Sequence, residues 1–117
     1  RLREMNFGVF EGLSYQEIKK MYPEYLRAWN EDYQKYRIPG GENLEDVFNR
    51  VEDFIDDIKN GHERVLVVTH GGVIRCALSL ILSSRELFYK FKIDHGSVSI
   101  VEFDGGYGFI KGIYNLL

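Results

Sequence analysis

Apolar positions recur at three- and four-residue spacing in several stretches of the chain and run unbroken in one. The strongest periodic stretch sets Leu44, Val47, Phe48, Val51, Phe54, Ile55 and Ile58 on one face and Glu45, Asp46, Asn49, Glu52, Asp53 and Asp56 on the other. This predicts a helix over 44–58, capped by Asn43 and stopped at Asn60-Gly61. Leu44, Val47, Val51, Phe54 and Ile58 are expected to be buried against the sheet that holds residues 65–69. Tyr25, Leu26, Trp29, Tyr33 and Tyr36 predict a second amphipathic helix. Pro23 suits its first position, and Pro39-Gly40-Gly41 breaks it. Such an aromatic stripe is ordinary core in most proteins; the sharper reading is a wall over a substrate pocket. Ahead of it, Ser14 and Glu17 form a capping box for a short helix to about Met21. Asn6 to Gly12 reads as an irregular loop packed by Phe7 and Phe10.

The unbroken run is Val65-Leu66-Val67-Val68, followed by Thr69-His70-Gly71-Gly72. It predicts a strand buried on both faces, as in a parallel sheet. Ile74, Ala77, Leu78 and Ile81 then mark a helix starting near Val73. Ser83-Ser84-Arg85-Glu86 offers another capping box, for a short helix through Leu87 and Phe88. Val98, Ile100 and Phe103, a turn at Asp104-Gly105-Gly106, and Phe109 to Tyr114 read as a hairpin. Three strands are few where sheets hold about four to six. An all-apolar central strand expects a neighbour on each side, so part of the sheet is expected to lie outside this sequence.

Composition narrows the chemistry. The chain has 117 residues, 44% of them hydrophobic, which fits one globular domain or part of one. A net charge of −3 leaves no basic excess for a nucleic-acid partner. No apolar run approaches the roughly 18 residues of a membrane span. One cysteine, Cys76, gives no disulfide framework, in keeping with a cytoplasmic location. It reads best as a small buried apolar residue. The three histidines, His62, His70 and His95, have no metal-ligand spacing.

What remains is the strand, glycine turn and helix around His70. In open α/β sheets ligands sit at the carboxyl ends of strands, where the next helix directs its amides and positive dipole end. That arrangement suits an anion. A lone histidine at a strand end is more often without chemistry. Followed by Gly71-Gly72 and a helix, His70 becomes a candidate for contact with a phosphate oxygen.

Three stretches are then informative together: Leu2-Arg3-Glu4-Met5-Asn6-Phe7-Gly8-Val9-Phe10-Glu11-Gly12, Gly40-Gly41-Glu42-Asn43, and Val68-Thr69-His70-Gly71-Gly72-Val73-Ile74-Arg75. In this order and separation they resemble the histidine phosphatase family, also called phosphoglycerate mutase-like. The resemblance covers essentially the whole chain and about the last three-fifths of a family member. It implies a three-layer α/β/α fold with a mainly parallel sheet, incomplete here for want of amino-terminal strands. Residues 1–117 are then a single domain that is the carboxyl-terminal portion of such a fold. The family pocket has two histidines and two arginines; the first histidine, in an Arg-His-Gly motif, is phosphorylated. By resemblance His70 is the second histidine, which stabilises the transferring phosphoryl group. Glu4 matches the proton donor of the phosphatase branch, and Gly71 belongs to the substrate-binding turn. Phosphoryl transfer needs such charge stabilisation and an acid for the leaving alkoxide.

No Arg-His-Gly tripeptide occurs in the chain. The one other His-Gly pair, His95-Gly96, follows Asp94, whose charge would repel phosphate. The chain alone is therefore expected to lack the nucleophile and to be inactive. Asn43 stands where serine is usual, and both cap helices. Within the family the pattern Glu-x-x-Phe-Gly-x-x-Glu-Gly resembles small phosphatases of the α-ribazole type, of cobalamin synthesis, more than glycolytic mutases. The expected activity is metal-free and cofactor-free hydrolysis of a small phosphomonoester through phosphohistidine. A mutase and a non-catalytic phosphate-binding remnant are the alternatives. The oligomeric state stays open, a homodimer included.

Overall fold

The computed structural model describes residues 1–116. The chain forms two units, Met5–Val47 and Arg1–Glu4 with the residues from Phe48 onward.

The Met5–Val47 unit carries a 3₁₀ turn at Gly8–Phe10, helix α1 (Tyr15–Met21) and helix α2 (Pro23–Glu31). The Ser14 hydroxyl accepts the Glu17 amide N–H, and the Glu17 carboxylate accepts the Ser14 N–H, so the predicted box is formed. Pro23 opens α2 as expected. The helix ends at Glu31, five residues before Tyr36, because the Asp32 side chain accepts the Lys35 amide and starts a turn instead. Leu26 is buried, Trp29 half-buried and Tyr25 exposed. Leu26 and Trp29 line a cavity of about 320 Å³ with Phe7, Phe10, Ile18 and Ile38. The first two informative stretches meet here: Glu42 N–H donates to the Asn6 carbonyl, and Asn6 N–H donates to the Glu42 carboxylate, each at 2.9 Å.

Helix α3 (Leu44–Ile58) has its first turn in that unit and the remainder in the other. Asn43 caps it: its side-chain oxygen accepts the Asp46 N–H at 2.8 Å, and the Asp46 carboxylate accepts the Asn43 N–H at 3.2 Å. Leu44, Val47, Phe48 and Val51 are buried, and Glu45, Glu52 and Asp56 exposed, as the periodicity requires. Phe54 and Ile58 are only half-buried, so the apolar face weakens toward the carboxyl end.

The second unit departs most from expectation at residues 65–69. They join no sheet, and the paired strands among the described residues are β1 (Val98–Asp104) and β2 (Tyr107–Tyr114). The structure is thus mixed α/β with a two-stranded antiparallel sheet; the mainly parallel sheet is not formed by these residues. Leu66 and Val68 are each 90% exposed. An all-apolar stretch needs a neighbour along each edge to be buried, and no described residue supplies one. The consequence for α3 is direct: there is no sheet at 65–69 for it to cover. Phe48 instead packs edge-on to Phe88, their ring centres 6.0 Å apart.

Helix α4 runs Gly71–Ile81, two residues earlier than predicted, with Val73, Cys76, Leu78 and Ser79 buried. It ends in a pair of back-bonds, Ser84 N–H to the Ser79 carbonyl and Ser83 N–H to the Leu80 carbonyl, with Ser83 left-handed at φ 58°. That closure overrides the predicted capping box; Ser84 makes no side-chain cap, and Arg85–Lys90 is a 3₁₀ helix. The hairpin β1–β2 turns at Gly105-Gly106, both at positive φ as a tight primed turn requires. A register shift opposite Ile100 and Val101 leaves Lys111 as the extra residue.

Candidate functional site

His70 is the cap of α4. Its backbone is extended (φ −127°, ψ 159°), its carbonyl accepts the Ile74 N–H at 3.0 Å, and its side chain is exposed and makes no cap bond. The sequence thus placed it rightly at the amino end of a helix and wrongly at the end of a buried strand. Gly71 and Gly72 are the first two helical residues, half-buried, where amide groups have no partner within the helix.

Glu4 comes to the same helix end. One carboxylate oxygen accepts the Gly72 amide N–H at 3.3 Å. Further contacts hold the stretch that carries Glu4. The Arg50 guanidinium donates to the Arg1 and Arg3 carbonyls, each at 2.7 Å, and to the Glu4 carbonyl at 3.4 Å. The Thr69 hydroxyl donates to the Leu2 carbonyl at 2.5 Å. Arg1 also reaches Asp53 at 2.8 Å and Asp57 at 2.5 Å on α3.

Glu4, Gly71 and the backbone of His70 are therefore gathered at one end of α4. Arg50 was missed by sequence reasoning. The signal was present: it is an arginine beside the buried positions Val47 and Val51 of α3, where a solvated side chain would ordinarily turn away. Arg75 is held differently, with Nε donating to the Phe91 carbonyl at 3.1 Å and its guanidinium 6.0 Å from the Phe88 ring centre. Burial pushes the Cys76 thiol up to about 12, which suits an inert packing residue. Among the described residues no cluster of three or more His, Cys, Asp or Glu side chains could hold a metal ion, and no helix is long and apolar enough to cross a membrane.

The comparisons agree with one another. The model of the histidine phosphatase superfamily (branch 1) matches residues 1–116. Phosphoserine phosphatase 1 of Hydrogenobacter thermophilus is 33% identical over 109 residues, covering 89% of this chain and 51% of that protein. The 6-phosphofructo-2-kinase/fructose-2,6-bisphosphatase of Gallus gallus is 41% identical over 90 residues, covering 75% of this chain and 19% of that protein. Among solved structures, the α-ribazole phosphatase of Shigella flexneri aligns with a TM-score of 0.85 at 25% identity, over 97% of this chain and 58% of that one. Bacillus stearothermophilus YhfR aligns with a TM-score of 0.79 at 29% identity, over 94% and 56%. This chain spans a little over half the length of the phosphoserine phosphatase and of the two solved structures, and about a fifth of the Gallus gallus protein.

Proposed function

The chain belongs to the histidine phosphatase superfamily (branch 1), and from that premise we propose that it supplies the proton donor and the second histidine of a phosphomonoester hydrolase. The observation that carries this reading is the Glu4 carboxylate on the Gly72 amide, at the helix end that His70 caps. An acid is wanted at the ester oxygen and a phosphate-directed imidazole at the equatorial phosphoryl oxygens. One helix terminus here gathers both residues.

In this reading the phosphoryl group passes from the ester oxygen to an imidazole nitrogen outside these 117 residues, in an Arg-His-Gly segment. Glu4 gives its proton to the departing alkoxide as the P–O bond breaks. His70 and the α4 amides, that of Gly71 first, stabilise the charge spread over the equatorial oxygens. Water then attacks phosphorus, Glu4 takes its proton, and the P–N bond breaks to release phosphate. No metal or cofactor enters. Residues 1–117 act as the carboxyl-terminal portion of one such domain, in the cytoplasm. The likeness to the Shigella flexneri α-ribazole phosphatase favours α-ribazole-5′-phosphate, of cobalamin synthesis, as the substrate.

Two measurements test this. The purified 117-residue chain should not turn over p-nitrophenyl phosphate. Hydrolysis that His70→Ala abolishes would show a nucleophile within the chain. In the complete reading frame with its Arg-His-Gly segment, Glu4→Gln should slow the single-turnover phosphorylation of the enzyme by alkyl phosphates by about 10²-fold or more. It should spare p-nitrophenyl phosphate, whose leaving group departs without a proton. Equal slowing of both esters would reduce Glu4 to a binding or structural residue, and no turnover in that frame would leave a phosphate-binding remnant.

A further inference from the structure

We infer that Gly72 is the positioning residue for Glu4: its missing side chain is the space the carboxylate occupies, and its amide sets the carboxylate's direction. Nothing in the backbone asks for glycine at this position. Gly72 is not among the glycines at positive φ, and a helical glycine is disfavoured relative to alanine by up to about 1 kcal/mol in a helix interior. Space asks for it instead. A Cβ at position 72 would stand 2.5 Å from Glu4 Oε1, 3.3 Å from its Cδ and 3.5 Å from its Oε2, and these are the three nearest atoms. At the neighbouring glycine the same atom would meet Arg75 Nη1 at 3.7 Å and the Ile93 carbonyl at 3.9 Å, which are ordinary contacts. The demand for glycine is thus confined to the residue that faces Glu4.

The stretch carrying Glu4 is held by Arg50 and Thr69 on the carbonyls of residues 1–4. A methyl group at position 72 therefore leaves the backbone where it is and turns away the flexible end of the Glu4 side chain. The helix tolerates alanine, so the variant folds, and what changes is the carboxylate's place. Assigning this placement to catalysis rests on the proton-donor reading of Glu4 above; the placement itself does not.

The experiment has two arms. In the 117-residue chain, nuclear magnetic resonance follows the residue 72 amide and the Glu4 carboxyl carbon between about pH 3 and about pH 7, across the carboxylate range. The Gly72 amide should titrate together with Glu4, and the response should vanish in Glu4→Gln and in Gly72→Ala. An alanine variant that keeps the shared titration overturns the proposal. In the complete reading frame, Gly72→Ala should lower the single-turnover rate of enzyme phosphorylation by an alkyl phosphate by about 10²-fold, with substrate affinity within about twofold and little change for p-nitrophenyl phosphate. In a Glu4→Gln background it should have no further effect on that rate, because both act through one group. A loss of equal size for both esters, or one that persists beside Glu4→Gln, marks Gly72 as structural and overturns the positioning role. If the first arm holds and neither ester is hydrolysed by the wild-type frame, the placement stands and the phosphatase reading fails.

Discussion

Phe48→Ala should be the most damaging single truncation in α3, and the structure sets its size. Phe48 is fully buried, its ring edge-on to Phe88 at 6.0 Å, with the Arg85 guanidinium 5.0 Å from its centre. Removing a buried phenylalanine side chain costs about 3–5 kcal/mol. The edge-on partner contributes about 0.5–1.5 kcal/mol beyond area, and a partly exposed cation over the ring about 0.5–1 kcal/mol. Both place this site at the upper end, near about 5 kcal/mol. Phe48→Leu keeps most of the apolar volume and loses the ring contacts, so about 1.5–2.5 kcal/mol is expected. Phe54, on the same helix, is half-buried beneath Arg1 at 5.4 Å. Its truncation should cost clearly less than that of Phe48. The assay is urea unfolding of the three variants and wild type, read as midpoint shifts at constant slope. A loss below about 1 kcal/mol for Phe48→Ala, or a larger loss for Phe54→Ala, would refute the assigned face.

Asn43→Ala should destabilise the chain by about 1–2 kcal/mol, since it removes the α3 cap and frees the Lys35 carbonyl that the Asn43 amide group holds at 3.1 Å. Asn43→Ser should recover about half of this in the same urea assay; equal losses would show that the cap contributes nothing. Burial raises the Cys76 thiol to about 12, above its unfolded value of about 8.5. The folded state keeps a proton the unfolded state releases, so stability is whole below about pH 8.5 and falls as pH rises toward 12. Urea midpoints taken from about pH 8 to about pH 10.5 should therefore fall more steeply for wild type than for Cys76→Ala; parallel curves would dismiss the linkage.

Much of the helical structure was legible because local chemistry and packing agree. Ser14 with Glu17, Asn43 and the Leu44–Val51 face all behave as their spacing says. The hairpin was legible from its paired turn glycines. Where two local rules competed, sequence reasoning chose the wrong one. Ser83 and Ser84 looked like the start of a helix, yet the back-bonds closing α4 claim their amides first. Asp32 ended α2 by a side-chain turn that the aromatic periodicity hid. The strand at 65–69 failed for a different reason. Apolar character says that a segment should be covered, and says nothing about which residues are present to cover it. The contacts among the candidate residues were not legible in the sequence. His70 became a candidate from the apolar run, glycine pair and helix around it, and Glu4 from motif likeness alone. The Gly72 amide and the Arg50 clamp join residues more than 45 positions apart in the chain, and no local pattern announces such pairs.

The bare stretch at Val65–Val68 has a consequence for handling the molecule. All four of its side chains are exposed, and no described residue makes a backbone–backbone hydrogen bond to it. A segment of this kind is a template for another like it, the starting condition for ordered aggregation. The chain sets Glu63 and Arg64 immediately before it, a charged pair in the position of gatekeepers. Light scattering that climbs with concentration, and is lowered by a charged residue placed within Val65–Val68, is how such pairing becomes visible.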